Sequence, residues 1–150
     1  MQYSQPEKTI IEQALQIMES KLSREDTLFN SPTEVIDYLR LRFADCDGRE
    51  EFHVLYLDNK HRLIRAETES RGTIDRASVY PREIAKNALL SNASAVILAH
   101  NHPAGDPTPS EADLSITARI KSGLELFNIR TLDHIIIGDS SYSFAQHNHI

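Results

Sequence analysis

Cysteine is almost absent from this chain: among 150 residues only Cys46 carries a thiol. That excludes an internal disulfide framework and any zinc ribbon built from cysteines. Cys46 lies in Ala44-Asp45-Cys46-Asp47-Gly48, where neighbouring carboxylates oppose the thiolate that reactive chemistry needs. Positive charge is also short, with 16 Lys and Arg against 22 Asp and Glu and a net charge of −6. A nucleic-acid-binding surface is usually basic overall, so nucleic acid is not favoured as a partner, although a local basic groove stays open. No apolar run approaches the ~18 residues that a membrane helix needs. The first eight residues lack the charged-then-apolar plan of a secretory signal, so a reducing, cytoplasmic compartment is expected. There are no internal repeats and no low-complexity tract. What remains, 40% hydrophobic and 25% charged, is the composition of one globular domain able to bury its own core.

Along the chain, hydrophobic spacing predicts alternating helices and strands. Residues 7–22 place Ile10, Ile11, Ala14, Leu15, Ile17, Met18 and Leu22 on one helical stripe. Ser31-Pro32-Thr33-Glu34 reads as an N-cap, a first-turn proline and a capping box, with Val35, Ile36, Leu39 and Phe43 as the buried face. Residues 44–48 break the pattern. Glu51–Asp58 is β-rich, 58–61 has turn composition, and 62–66 returns as a hairpin partner. Gly72 marks a further turn. A helix is expected from Pro81 to about Asn92, with Ile84, Ala85, Ala88 and Leu89 inward. Ala95–Ala99 is short, apolar and unbroken, the pattern of a strand buried on both faces. A proline-rich loop follows, then a helix over 110–127 burying Leu114, Thr117, Ile120 and Leu124, then strands at 132–137 and 142–144. The expected class is α/β: one domain with a helical N-terminal extension.

The loop carries the chemistry. Side chains of an extended chain repeat their direction every two residues, so His100 and His102 point the same way at the end of the buried strand. Open α/β sheets tend to hold their sites at such strand ends. Two imidazoles suit a borderline-soft metal such as zinc, which in catalytic sites takes three protein ligands and keeps a fourth position for water. Asp113, on the first turn of the next helix, is the natural third ligand. Plainer readings stand beside this one. A His-x-His pair arises by chance, and Ser110-x-x-Asp113 is equally a capping box with Ser110 as N-cap. Capping and ligation do not exclude each other.

The whole string, His100-x-His102-Pro103, seven residues to Ser110, then Ser110-x-x-Asp113, resembles the JAMM (MPN+) metalloprotease motif. The stretch Ala99–Asp113 resembles its bacterial RadC branch, as do Glu50–Asp58, Gly72-Thr73, Pro81–Glu83 and Asp133–Gly138. The resemblance covers about residues 48–146. It implies a mixed sheet flanked by helices, in the cytidine-deaminase-like JAMM/MPN arrangement, over 46–150, with 1–45 as the helical extension. By position it implies that His100, His102 and Asp113 bind Zn2+, that Ser110 hydrogen-bonds the substrate oxyanion, and that Glu50 is the general base. Glu51 is adjacent, and strand alternation aims it the other way. The implied reaction is hydrolysis of a peptide or isopeptide bond in a protein or peptide substrate. Ala104 stands where relatives generally carry serine. No glycine-centred hairpin between paired helices precedes Glu50, which weakens a DNA-binding inference.

Two readings from other classes stay open: a DNA-repair-associated factor, and a metal-stabilised interaction module without turnover. Specificity is expected in loops 67–80 and 103–109. The apolar stripe of 1–45 must be covered by the domain, by a partner, or by a second copy in a homo-oligomer. His147-Asn148-His149 repeats the histidine spacing without a downstream Ser-x-x-Asp and is expected to be a surface or disordered tail. Asp133 and His134 are expected to pair near the sheet end, with His134 structural or supporting rather than a ligand. Arg82 either lines the site's edge or pairs locally.

Overall fold

The computed structural model describes residues 2–23, 31–72 and 79–150. Along these residues run α1 (Gln5–Leu22), α2 (Pro32–Arg42), β1 (Glu51–Leu57), β2 (Leu63–Arg71), α3 (Pro81–Leu90), β3 (Ala95–Asn101), α4 (Glu111–Glu125), β4 (Arg130–Ile137) and β5 (Ser141–Ser143). The strands form one mixed sheet in the order β2-β1-β3-β4-β5. Only β3 and β4 are parallel, and α4 supplies the long crossover that a parallel pair requires. The expected α/β architecture, a mixed sheet flanked by helices, is what the chain adopts.

Both central strands are buried over their whole length, which is why their sequences are continuous apolar runs rather than alternations. Their period of two sorts the core into two layers. Leu55, Leu57, Ile97, Ala99 and Ile135 face α1 and α2, where Leu22, Tyr38, Leu39 and Phe43 cover them. Phe52, Val54, Tyr56, Val96 and Leu98 face α3 and α4, meeting Ile84, Ala88, Ile116, Ile120 and Leu124. Removing each such side chain from water contributes roughly 1.5–3 kcal/mol, so both helical layers are held chiefly by apolar contact.

Several expected inward positions turn outward. Leu89 is 49% exposed because it lies five residues beyond Ile84, about 140° round the helix. Ile10 and Ile17 are 64% and 60% exposed for the same reason, five residues from the packed Leu15 and the buried Leu22. In α4, Leu114 is only half-buried, while Ile116 takes a core place beside Thr117, Ile120 and Leu124. Ser31 is the N-cap of α2 by backbone conformation, but its side chain makes no cap hydrogen bond and the expected box with Glu34 does not form. Strand β2 continues past Ala66 to Arg71, so residues 67–71 are sheet rather than loop. Thr73 and the rest of 73–78 lie outside the described residues.

Candidate metal centre

Strand β3 ends at the site. His100 sits within the strand, almost fully buried and in register with Phe52 of β1. His102 follows one residue after the strand, and its backbone N–H donates to the Ile137 carbonyl, 2.8 Å. The chain then turns: the Gly105 N–H donates to the His102 carbonyl, 3.0 Å, and the Asp139 N–H donates to the Gly105 carbonyl, 2.7 Å. Gly105 has φ +103°, a backbone region that side-chain-bearing residues rarely adopt. The loop is therefore pinned back onto the β4–β5 turn before it starts α4.

Ser110 is the N-cap of α4. Its Oγ accepts from the Asp113 N–H at 3.1 Å, and the Asp113 Oδ2 accepts from the Ser110 N–H at 2.8 Å. This capping box fixes the Asp113 carboxylate, and the same carboxylate meets both histidines. Asp113 Oδ1 is 3.3 Å from His100 Nε2, and Oδ2 is 3.3 Å from His102 Nε2. The two Nε2 atoms are 2.9 Å apart. Capping and convergence are thus carried by one residue. One donor atom from each of His100, His102 and Asp113 falls within 4.8 Å of the others, a group that could hold a metal ion.

The donor chemistry fits such an ion. His102 Nδ1 lies 2.8 Å from the Asp106 carbonyl, which accepts a proton and cannot give one, so the proton is on Nδ1 and Nε2 presents a lone pair. Imidazole nitrogens this close, beside a carboxylate, require a shared proton or a cation between them. With protons standing in for a cation, the hydrogen bond to Asp113 raises the pKa of His102 against partial burial. Burial would raise the Asp113 carboxyl, yet with such protons on the Nε2 atoms hydrogen bonds from His100 and His102 would hold it well below the usual carboxylate range.

Glu50 and Glu51 part company. Glu51 is buried and turns to the α1/α2 side, 2.7 Å from His53 Nε2 and 3.6 Å from Arg71 Nε. Glu50 is half-buried, two residues before Phe52 and so on the parity of the His100 face, and its charge helps raise the pKa of His102. Asn101 clamps the backbone on either side of Glu50. Its Oδ1 accepts from the Glu51 N–H at 2.7 Å, and its Nδ2 donates to the Arg49 carbonyl at 2.8 Å. Ser110 is exposed at the start of α4.

The family described as RadC-like JAB domain matches residues 29–149. The chain belongs to that family. It is 51% identical over 140 residues to a UPF0758 protein of Vibrio cholerae, covering 93% of this chain and 87% of that one. It is 48% identical to UPF0758 protein YkfG of Escherichia coli over 142 residues, 94% of this chain and 89% of YkfG. UPF0758 protein PSHAa2643 of Pseudoalteromonas translucida is 47% identical over 140 residues, which make up 62% of its length. The RadC-like match takes in α2 as well as the sheet and α4.

Other sequence expectations resolve around this RadC-like centre. Asp133 does not pair with the His134 ring. Its carboxylate accepts from the His134 backbone N–H, the Ser143 hydroxyl and the Ala145 N–H, tying down β5. Arg82 pairs locally, 4.0 Å from Glu83 and 5.7 Å above the Tyr80 ring. His147 and His149 form a surface turn against Tyr142: His147 stacks at 3.9 Å, and His149 Nε2 is 2.9 Å from the tyrosine hydroxyl. Cys46 is buried and its thiol is pushed up to about 12, by burial first and then by Glu51, so the carboxylate five residues on matters more than the flanking Asp45. Sequence reasoning missed Asn101 and the Asp106 carbonyl. An amide in an otherwise apolar buried strand was the available signal for the first; a backbone carbonyl leaves none. No helix among the described residues is long and apolar enough to cross a membrane.

Proposed function

We propose that this chain is a zinc-dependent hydrolase that cleaves peptide or isopeptide bonds. The observation that carries the reading is the convergence of His100, His102 and Asp113 on one point. Two imidazoles and one carboxylate, three protein ligands rather than four, are the donor set of a catalytic rather than a structural zinc. Zinc held there would lower the pKa of water to about 7 and polarise a carbonyl. The remaining work falls to the chain itself. Glu50, on the same side of the sheet, accepts a proton from the attacking water and delivers it to the departing amine. The Ser110 hydroxyl, whose oxygen already accepts from Asp113, keeps its proton free to donate to the developing oxyanion. The single, buried cysteine suits a cytoplasmic setting.

The DNA-associated reading has no comparable support: the net charge of −6 opposes it. The test combines metal content with substrate capture. Purified or zinc-reconstituted protein is expected to hold about one zinc per chain, and His102→Ala to lose it, while Glu50→Gln retains zinc and captures a protein substrate without cutting it. Absence of zinc from both preparations of the wild type, or unimpaired cleavage of a captured substrate by Glu50→Gln, refutes the proposal.

A further inference from the structure

Behind the three candidate ligands lies a fourth histidine. His134 on β4 is fully buried, between Phe144, whose ring stacks on it at 4.6 Å, and Phe52, edge-on at 5.4 Å. A polar ring in such apolar company is costly unless its nitrogens are satisfied. Both are: Nε2 is 2.7 Å from His100 Nδ1, and Nδ1 is 2.6 Å from the Thr117 hydroxyl.

The directions of these bonds follow from proton counting. The Thr117 hydroxyl has one proton and lies 2.7 Å from the Asp113 backbone carbonyl, an acceptor only, so its proton is committed there. Thr117 can therefore only accept from His134, and His134 must carry its proton on Nδ1. The ring lies between two phenyl rings and meets Thr117 and His100 with its nitrogens, no carboxylate among these partners to offset a charge, so it is the neutral imidazole and Nε2 is left as an acceptor. His100 Nδ1–H then donates to it, and the other nitrogen of His100, Nε2, is bare and faces Asp113 and His102.

We infer that His134, oriented by Thr117, is a positioning residue that holds His100 in the Nδ1–H tautomer and so keeps its Nε2 lone pair ready for the metal. The inference rests on the metal-centre reading above. Its device differs from the usual carboxylate or carbonyl partner of a ligating imidazole. A second imidazole can accept only in one tautomer, so a hydroxyl on α4 sets a proton on β3 through a ring on β4. Thr117 stands one helical turn after Asp113, which couples the orientation of His100 to the helix that delivers the third ligand.

The experiment measures zinc affinity by competition with a chromophoric chelator, alongside unfolding of the metal-free proteins. Thr117→Val keeps the shape and removes the hydroxyl; Thr117→Ser restores it; His134→Phe keeps an aromatic ring between Phe52 and Phe144. Affinity is expected to fall roughly 10–100-fold in Thr117→Val and His134→Phe, and to stay near wild type in Thr117→Ser. Long-range 1H–15N spectra of zinc-loaded protein are expected to show His134 and His100 each protonated on Nδ1. A packing role alone predicts none of this. Zinc-binding wild type with Thr117→Val unaffected, or His134 protonated on Nε2, overturns the inference alone. Wild-type protein that takes up no zinc overturns the metal-centre reading and this inference with it.

Discussion

One added methyl group tests how His102 is held. A Cβ on Gly138 would overlap the Gly105 carbonyl oxygen, because the loop after β3 lies directly against the β4–β5 turn there. Relief of that clash must push the loop outward, and with it the Asp106 carbonyl that accepts from His102 Nδ1. Gly138→Ala is therefore expected to fold, to lose about 1–3 kcal/mol of stability by overpacking, and to bind zinc roughly tenfold or more weakly. Chelator competition and urea unfolding check the two halves, and unchanged zinc affinity would show that the carbonyl does not orient the ring. At this scale the sequence exposes the ligands but not their supports. His100, His102 and Asp113 are related by short-range geometry, a strand's two-residue period and a helix cap, which spacing encodes. The Asp106 carbonyl and the bond from His134 to His100 depend on the pairing of β3 with β4 and on where a loop lands, and spacing carries neither.

Elements were legible where burial is two-sided or periodic. The unbroken run of β3 and the β-rich run of β1 announced central strands, and each expected helix formed within a few residues of its predicted bounds. The faces of the helices were less legible, because an apolar residue next to the core stripe reads much like one inside it. Ile17 and Leu39 illustrate the difference: Ile17 projects outward from α1, while Leu39 of α2 is fully buried against the sheet. Replacing Leu39 with Ala is expected to cost about 2–5 kcal/mol in urea unfolding. Ile17→Lys should stay within about 0.5 kcal/mol of the parent. A Leu39→Ala loss below about 1 kcal/mol would mean that α2 does not dock as described. A large loss for Ile17→Lys would mean that this face of α1 is covered in solution, as a homo-oligomer through the N-terminal helices would require.

For the molecule as a whole, the sheet separates two polar clusters at one end. The candidate metal centre lies on the α3/α4 side; on the α1/α2 side, a partly buried network joins α1, α2 and β1. Arg42 Nε donates to His53 Nδ1 at 2.7 Å, His53 Nε2 is 2.7 Å from Glu51, and the Arg42 guanidinium also meets Glu19 of α1 at 3.2 Å. Because Arg42 can only donate, Nδ1 must accept and the ring is neutral. Burial, reinforced by the Arg42 charge, lowers the His53 pKa to about 4. In the unfolded chain the same group titrates near ~6.5, so between these values the unfolded state binds the proton and the folded state resists it. Stability from this group is therefore complete above about pH 6.5, falls as pH drops toward 4, and levels off below. The change amounts to about 3 kcal/mol. Urea unfolding of metal-free wild type and His53→Gln at pH 7, 5.5 and 4 isolates it, since protonation at the metal-centre histidines is common to both proteins. The stability advantage of the wild type is expected to shrink by about 3 kcal/mol from pH 7 to pH 4. An advantage independent of pH would show that His53 takes up its proton as readily in the folded protein as in the unfolded chain, and one that grew toward pH 4 would show that it is charged there; either means that the α1/α2 network is wired differently.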